Sequence, residues 1–374
     1  MSRIVLEHVT KRFGDTVAVD DLSLEIEEGS FFSLLGPSGC GKTTTMRLIA
    51  GLETAQKGRI WIGDTLVFDA EDGTFLPPGK RGIGMVFQNY ALWPHMTVRE
   101  NILFGLRVRR LSNDEQGQRL ERVLDRLQIS ELIDRYPSEL SGGQQQRIAL
   151  ARELVTGASV LLMDEPLSNL DAKLRIDMRV ELKQLHEESG GTIIYVTHDQ
   201  LEALTLSTNM AVMKNGVMQQ KAPPAHVFAV PSNLFVAQFM GHTPINLLEA
   251  EFDGRSLRCA AGELPVPPEL LRLKPGERLL VGARPEELSA VSTNAPNRLK
   301  GKVVSILPMG YDSLLRIHLD AAGALGGSEA AATLTVAADE RKRDVEIGDT
   351  CYVEFEASAM HCFHAETHER VGSA

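Results

Sequence analysis

The sequence has few cysteines, no long apolar run and no excess of positive charge. Its four cysteines, at positions 40, 259, 351 and 362, show no short paired spacing. This spacing argues against a disulfide framework or a structural zinc site and favours a reducing cytosol. No apolar run approaches the roughly 18 residues of a membrane-spanning helix. The formal net charge of -11 argues against nucleic acid or anionic lipid as the main partner.

The first part of the chain has the pattern of a parallel sheet with helices. Apolar, β-branched runs at 160–163 and 193–196 are typical of buried parallel strands. A third apolar run, 31–35, enters a glycine-rich turn, and residues 44–50 then read as a helix that stops at Gly51. These patterns predict an α/β domain.

The stretch 97–155 is predicted to be mostly helical. Capping-box patterns, in which Ser or Thr is followed by Glu three residues later, mark two helix starts there. They are Thr97 with Glu100 and Ser112 with Glu115. We predict a helical subdomain at about 89–157, within an α/β domain that spans 1–235.

The composition changes after Gly241. Short strand-like runs then alternate with Gly, Pro and charged turns, at 279–281, 302–307, 314–319, 332–336 and 351–355. Short strands of this kind predict small β-barrels like the oligonucleotide/oligosaccharide-binding (OB) fold. We predict an all-β domain at 236–374, in which the Ala- and Gly-rich stretch 321–332 is a loop.

A glycine-rich motif at 36–43 matches the phosphate-binding loop, two glycines five apart followed by Lys and Thr. In such a loop backbone amides point at phosphate oxygens, and the following helix adds its positive end. Lys42 is placed to reach the β- and γ-phosphates, and the Thr43 hydroxyl to ligate magnesium. For Cys40 we favour a small tolerated side chain over a redox role. The predicted ATP-binding residues here are Gly36, Pro37, Ser38, Gly39, Cys40, Gly41, Lys42, Thr43 and Thr44.

An acidic pair follows the apolar run 160–163. A buried strand delivers Asp164 to the magnesium shell, and Glu165 at the strand end is placed to polarise an attacking water. Many hydrophobic strands end in acidic residues, so the pair is informative only together with the phosphate loop. Together the two elements predict an ATPase with ATP and Mg²⁺ as its cofactors.

A third motif, LSGGQQQR at 140–147, reads as a second anion site, because a Ser-Gly-Gly turn opens a helix with free amides. With the other two elements it matches the signature sequence of ABC ATPases, and the chain resembles that family. An ordinary Ser-capped helix start would not explain the three motifs in order. The resemblance implies a P-loop ABC ATPase domain and a two-fold dimer. In it the ATP of the partner subunit is contacted by Ser141, Gly142, Gly143 and Gln144.

The resemblance assigns roles to four further residues. It implies that Phe13 stacks on adenine, that Gln88 touches magnesium and the attacking water, and that His198 contacts the γ-phosphate. Asp171 ends the loop 168–171, which in the family passes between the subunits and reaches the partner's ATP. The alternative for a lone Phe or His is an ordinary core residue.

Beyond these motifs the chain resembles importer ATPases. Residues 88–98 look like the segment that docks a membrane subunit, and 235–241 and 282–286 resemble the C-terminal regulatory domain of maltose-type and glycerol-phosphate-type importers. The resemblance implies a peripheral protein on the cytoplasmic face of the inner (plasma) membrane. Its implied partners are a second copy of itself, two transmembrane permease subunits and, indirectly, an extracytoplasmic solute-binding protein. The implied solute is a carbohydrate or polyol phosphate; polyamine, ferric iron, sulfate and phosphonate are the alternatives.

Three alternatives concern the class of protein and the tail. Non-transport ABC ATPases usually carry two modules or a long coiled coil, and neither is present in this sequence. Intact Glu165 and His198 argue against a regulatory protein with a dead ATPase. A metal site could involve His361, Cys362, His364 and His368. Because no second ligand pair fixes such a site, we favour a last strand with a solvated tail.

Overall fold

The structure of the chain is a computed structural model, and it describes residues 2–320, 333–340, 343 and 345–372. Residue contacts divide the chain into two compact units, Met1–Ala225 and His226–Ala374. The stretch 321–332, predicted as a loop, lies outside the described residues.

The first unit combines strands and helices in alternation. Its strands are β1 (Ile4–Phe13), β2 (Thr16–Ile26), β3 (Phe31–Leu35), β4 (Lys57–Ile62), β5 (Thr65–Asp69), β6 (Ile83–Val86), β7 (Val160–Asp164), β8 (Thr192–Thr197), β9 (Asn209–Lys214) and β10 (Val217–Ala222). Its helices are α1 (Lys42–Ala50), α2 (Val98–Val108), α3 (Asn113–Leu127), α4 (Gly142–Leu154), α5 (Ala172–Ser189) and α6 (Gln200–Leu206). A further helix, α7 (Pro224–Ala229), contains the division between the units.

The central sheet of this unit has the strand order β10-β9-β3-β8-β7-β6. The five neighbouring strands β9, β3, β8, β7 and β6 pair in parallel, and β10 pairs antiparallel with β9. The predicted α/β class is confirmed. Because the carboxyl ends of parallel strands meet at one edge, the loops after β3, β7 and β8 lie close together.

Hydrophobic cores cover both faces of the central sheet. In β7, Leu161 and Met163 pack in the core that contains α2, α3, α4 and α5. Val160 and Leu162 pack on the other face with α1 and the antiparallel sheet β2-β1-β4-β5. Burial on both faces explains why this strand is continuously apolar rather than alternating.

The helices of the subdomain begin at side-chain caps, as the sequence predicts. At α2 the capping box is complete, since Thr97 Oγ1 accepts from Glu100 N and Glu100 Oε2 accepts from Thr97 N. At α3 only half of it forms: Ser112 Oγ accepts from Glu115 N, but the Glu115 carboxylate pairs with Arg119 at 2.8 Å. The full capping box predicted at Ser112 is therefore wrong, because an i,i+4 ion pair takes the carboxylate.

The second unit is built almost entirely from strands. Its elements are α8 (Leu234–Phe239), β11 (Asn246–Phe252), β12 (Leu257–Cys259), β13 (Gly262–Leu264), β14 (Glu277–Ala283), β15 (Leu288–Val291), β16 (Arg298–Pro308), β17 (Asp312–Leu319), β18 (Thr333–Asp339), β19 (Thr350–Phe355) and β20 (His361–His364). The five runs predicted as strands fall in β14, β16, β17, β18 and β19, apart from residue 332, which lies outside the described residues. The predicted all-β class is confirmed.

Two antiparallel sheets share the core of the second unit. Their strand orders are β13-β12-β11-β14-β20 and β15-β19-β16-β17-β18. In the second sheet the edge strands β15 and β18 also lie against each other, so that the sheet curls toward a barrel. Among the helices that the structure describes, none combines the length and apolar character that crossing a membrane requires.

Candidate active site

The glycine-rich loop connects β3 to α1, and its shape depends on glycine at position 41. Gly41 adopts φ 104°, and a Cβ atom there would lie 2.2 Å from the Ala18 carbonyl oxygen of β2. Only glycine fits this left-handed conformation and this close approach. The turn therefore aims the amides at the start of α1 out of the sheet edge, where a helix terminus attracts anions.

The Lys42 ammonium lies inside this loop. The side chain is buried, and Nζ donates to the carbonyl oxygens of Gly36 at 2.8 Å and Pro37 at 2.9 Å. Cys40 Sγ lies 3.8 Å from Nζ, and burial raises the pKa of its thiol. A buried thiol with a raised pKa is a poor nucleophile, which agrees with the structural interpretation of Cys40.

Thr43 and Asp164 meet although they are far apart in the sequence. Thr43 Oγ1 donates to Asp164 Oδ1 at 2.9 Å, from the first turn of α1 to the end of β7. Burial raises the pKa of the Asp164 carboxyl, and the hydrogen bond from Thr43 opposes this rise. A hydroxyl and a carboxylate in contact form the oxygen-rich donor set that hard divalent cations prefer.

Glu165 and His198 form the second pair of the site. Glu165 follows β7 and His198 follows β8, and Glu165 Oε2 lies 3.1 Å from His198 Nδ1. Glu165 has φ 44°, an uncommon conformation for a residue with a side chain, and its amide donates to Val196 O at 2.9 Å. Local strain of this kind occurs often at functional sites.

Gln88, in the loop after β6, lies beside the loop that follows Glu165. The side-chain Nε2 of Gln88 donates to Ser168 Oγ at 3.3 Å, and its backbone carbonyl oxygen accepts from Asn169 Nδ2 at 2.9 Å. Ser168 Oγ in turn donates to the Glu165 carbonyl oxygen at 2.8 Å. Gln88 is thus connected to Glu165 through Ser168, while Thr43 and Asp164 contact each other directly.

The signature residues lie at the start of α4, in the helical part of the unit. Ser141 and Gln144 bond each other in a complete capping box, and both Ser141 and Gly142 are exposed. A Cβ atom on Gly143 would lie 2.6 Å from a methyl group of Leu174, so α4 begins directly against α5. Asp171 caps α5 by accepting from Leu174 N at 3.0 Å and is exposed as well.

Phe13 ends β1 outside the hydrophobic cores. Its side chain is 48% exposed, and Lys11 Nζ lies 4.6 Å from the ring centroid. An exposed aromatic ring is available for stacking, whereas a core phenylalanine is not.

Two contacts of the site have no sequence signal. Arg175 donates to the carbonyl oxygens of Leu170 at 2.9 Å and Ser168 at 3.1 Å, and these two hydrogen bonds stabilise the loop before α5. Glu202, which is buried, accepts from Tyr195 Oη at 2.9 Å and Thr197 Oγ1 at 2.7 Å, next to His198. No motif or periodicity indicates either residue, because their partners, five to seven residues away, lie across a loop rather than on the same helix or strand.

The histidines and the cysteine near the end of the chain have separate partners. His361 is buried with Nδ1 3.1 Å from Arg370 Nη1, whereas His364 Nδ1 pairs with Glu277 at 3.1 Å. Cys362 is buried in the core between the two sheets of the second unit. Within the described residues, no group of three or more His, Cys, Asp or Glu side chains could hold a metal ion.

An ATP-binding cassette is defined by the combination of the phosphate loop, the acidic end of β7, His198 after β8 and the signature turn at α4. The family described as ABC transporter matches residues 19–168, and the family described as TOBE domain matches 281–363. A dimeric solved structure of the ATP-binding cassette MJ0796 bound to ADP and Pi aligns with a TM-score of 0.51 at 32% identity. It covers 59% of this chain and 98% of that one.

Relatives match over most of their length. The trehalose/maltose import ATP-binding protein MalK of Thermococcus litoralis is 46% identical, over 85% of this chain and 89% of its own. The xylose/arabinose import ATP-binding protein XacJ of Haloferax volcanii is 43% identical, over 98% and 95%. The Fe(3+) ions import ATP-binding protein FbpC of Fusobacterium nucleatum is 43% identical, over 85% and 83%. The chain belongs to the ABC transporter family, as an ATP-binding subunit of the MalK type. It is an ATP-hydrolysing transport ATPase.

Proposed function

We propose that this ATPase powers the uptake of a carbohydrate or polyol phosphate, working as a two-fold dimer on the cytoplasmic face of the inner (plasma) membrane. The observation that carries the hydrolytic part is the arrangement at two neighbouring strand ends. Thr43 and Asp164 are in contact, and Glu165 and His198 face each other at 3.1 Å. The first pair suits metal binding and the second suits water activation.

The donor set of this site fits Mg²⁺. Thr43 and Asp164 would hold the ion, with Gln88 as a further oxygen ligand, and when bound it would neutralise charge on the β- and γ-phosphates of ATP. Lys42 adds its positive charge, Glu165 polarises the attacking water, and His198 contacts the γ-phosphate. The ring of Phe13 stacks on adenine.

The dimer follows from the position of the signature turn. Ser141 and Gly142 are exposed at the start of α4, and Asp171 is exposed at the start of α5. Exposed amides at a helix start form an anion site that a second copy of the chain can use. The partner subunit's ATP would therefore lie against Ser141, Gly142, Gly143, Gln144 and Asp171.

An apolar depression supports docking of the two permease subunits. It lies beside α2 and is lined in part by Phe87, Ala91, Trp93 and Phe104. Phe104 is 37% exposed, and Val108, one turn further along α2, is 67% exposed. Exposed apolar side chains in a group are typical of a surface that binds a partner.

The solute class rests on the relatives. Trehalose/maltose and xylose/arabinose are named for MalK of Thermococcus litoralis and XacJ, and Fe(3+) ions for FbpC. The sugar relatives favour a carbohydrate, delivered by an extracytoplasmic solute-binding protein, and ferric iron is the second candidate. The membrane subunits and the binding protein would select the solute.

The test is ATPase stimulation in the assembled complex. The chain is combined with the permease subunits and the solute-binding protein of the proposed importer, and hydrolysis is measured with candidate solutes. We expect stimulation by a glycoside or glycerol phosphate, and loss of about two or more decades of rate in a Glu165→Gln complex that still binds ATP. Stimulation by iron, polyamine or oxyanion alone would contradict the solute class, and near-normal hydrolysis by Glu165→Gln would contradict the role of Glu165.

A further inference from the structure

A buried arginine connects the signature helix to the loop after β6. Arg152 is 6% exposed and lies in the last turn of α4. Its Nη1 donates to Ala91 O at 2.6 Å and its Nη2 to Tyr90 O at 3.1 Å. The guanidinium also lies 5.1 Å from the ring centroid of Trp93. One side chain thus contacts Tyr90, Ala91 and Trp93, three residues of the segment 88–96 that lies between β6 and the cap of α2.

The part of the segment that Arg152 holds is a strained turn. Tyr90 and Ala91 adopt φ 62° and 45°, a left-handed conformation that residues with side chains seldom take. Such a turn persists only when the surroundings hold it, and the two hydrogen bonds from Arg152 do so. A change in the position of Arg152 would therefore change the path of the turn.

The same end of α4 is also hydrogen-bonded to β6. Glu153 Oε1 accepts from Arg152 Nε at 3.1 Å, and Glu153 Oε2 accepts from Met85 N at 3.3 Å. Between β6 and the strained turn stands Gln88, which bonds Ser168 in the loop after Glu165. The segment is thus tied to the hydrolytic site at Gln88 and to α4 at Tyr90 and Ala91.

The other end of α4 is the signature turn. The helix runs for 13 residues from Gly142 to Leu154, so Ser141 and Arg152 lie at opposite ends of one rigid element. A helix of this length spans about 20 Å. A displacement of the signature turn by bound nucleotide would move Arg152 with it, and Arg152 would move the turn and Trp93.

We propose that Arg152 is a positioning residue. When nucleotide binds at the signature turn and displaces α4, Arg152 transmits this displacement to the segment 88–96. The inference rests on the proposed function, because it takes the signature turn to bind the partner's ATP. Trp93 packs against Phe104 at 4.4 Å between ring centroids and lines the depression proposed for the permease. The membrane-facing surface would then respond to dimer formation and not only to hydrolysis.

Trp93 itself provides the measurement. The chain has two tryptophans, Trp61 and Trp93, so a Trp61→Phe chain reports Trp93 alone. Its emission is followed while a non-hydrolysable ATP analogue and Mg²⁺ are added. We expect a shift in emission on dimer formation, and loss of most of it in Arg152→Lys, since a lysine cannot hold two carbonyl oxygens in the same fork. Ser141→Arg should lose the shift as well, because it blocks the other end of α4.

Arg81→Lys is the matched control. Arg81 is 5% exposed and, like Arg152, is a buried arginine whose guanidinium donates to backbone oxygens. Its acceptors are the carbonyl oxygens of Leu76, Leu48, Ile49 and Val67. Its substitution should leave the Trp93 shift unchanged. Equal loss in Arg81→Lys and Arg152→Lys would overturn the proposal, since it would show general loosening of the fold.

Binding of a fluorescent ATP analogue and dimer mass are measured in parallel. A parent chain that binds no nucleotide or forms no dimer would overturn the proposed function and the link together. If the parent binds and dimerises, an absent shift, or a full shift in Arg152→Lys or Ser141→Arg, would overturn the link alone.

Discussion

Phe13 is a large apolar residue that stays in contact with water, at the end of the hairpin that touches the phosphate loop through Ala18. We predict that Phe13→Ala weakens ATP binding several-fold without unfolding the chain. The reason is that an aromatic stack contributes about 0.5–1.5 kcal/mol beyond the area it buries. Titration with a fluorescent ATP analogue measures the change.

Phe75 offers a matched control for this variant. Its side chain is 44% exposed and lies 5.5 Å from the guanidinium of Arg81, so it resembles Phe13 in exposure and in its neighbouring cation. Phe75→Ala should leave ATP affinity unchanged. An unchanged affinity in a folded Phe13→Ala chain would mean that Phe13 does not stack on the nucleotide.

Motif spacing predicts some residue contacts and misses others. It predicts that Thr43 and Asp164 share one magnesium site, and Thr43 Oγ1 lies 2.9 Å from Asp164 Oδ1. The prediction works because each residue lies at or just after the carboxyl end of a strand in the same parallel sheet. It misses Arg152, Arg175 and Glu202, which a sequence reader would place on exposed or merely polar helix positions. The partners of Arg152 lie 61 and 62 residues away along the chain. Those of Arg175 and Glu202 lie only five to seven residues away, but across a loop, where neither helix nor strand periodicity indicates a contact. The roles of the predicted site residues stay predictions.

At the scale of elements, the hydrophobic pattern predicts whether a segment is a strand or a helix better than it predicts the side-chain hydrogen bonds at the ends of that element. The apolar runs of β7 and β8 are recognisable in the sequence because strands covered on both faces must be apolar at every position. The capping box at Ser112 fails because the competing partner of Glu115, Arg119, lies one turn ahead, and propensity rules do not rank the two interactions. The predicted domain bounds, 1–235 and 236–374, stay predictions.

Strand β20 places a histidine where its charged form is disfavoured. Burial lowers the pKa of His361 from 6.5 to about 4, and the charges of Arg370 and Arg284 act in the same direction. Between these values an unfolded chain binds a proton that the folded chain does not. The resulting stability is therefore present above pH 6.5 and is lost as the pH falls toward 4.

We predict a loss of about 3 kcal/mol of unfolding free energy from this histidine across that range. Calorimetry of the full chain at pH 7 and at lower pH measures it against His361→Gln, in which the loss should be smaller. If His361→Gln and the wild type lose stability in parallel, the burial of a neutral histidine at this position does not govern the pH dependence.

The whole molecule carries two predicted half-sites for nucleotide. The phosphate loop with its buried Lys42 lies at the end of the central sheet, and the exposed Ser141 begins α4 in the helical part. The sequence predicts both halves from their motifs. The motifs themselves do not identify the solute, because no residue of an ATPase subunit has to touch it; the solute class is implied only by the resemblance to importer ATPases.

A cross-subunit site gives a prediction about mixed dimers. Lys42→Ala chains and Ser141→Arg chains, each of which we expect to be inactive alone, are mixed and allowed to exchange. In a mixed dimer one site then carries both lesions and the other carries neither, because each site combines the loop of one chain with the signature of its partner. We expect ATPase activity above that of both parents.

The reciprocal mixture separates this arrangement from a site built within one chain. When a chain with both Lys42→Ala and Ser141→Arg is mixed with the wild type, a cross-subunit arrangement leaves one lesion in each site of the mixed dimer, so mixing should lower the activity contributed by the wild type. Sites within one chain would give the opposite result in both mixtures: no recovery from the single variants, and an intact wild-type site beside the double variant. Mixed dimers are quantified with two affinity tags, so that absence of exchange is not mistaken for absence of activity. Recovery in the first mixture together with inhibition in the second requires that Ser141 of one chain completes the site of Lys42 in the other.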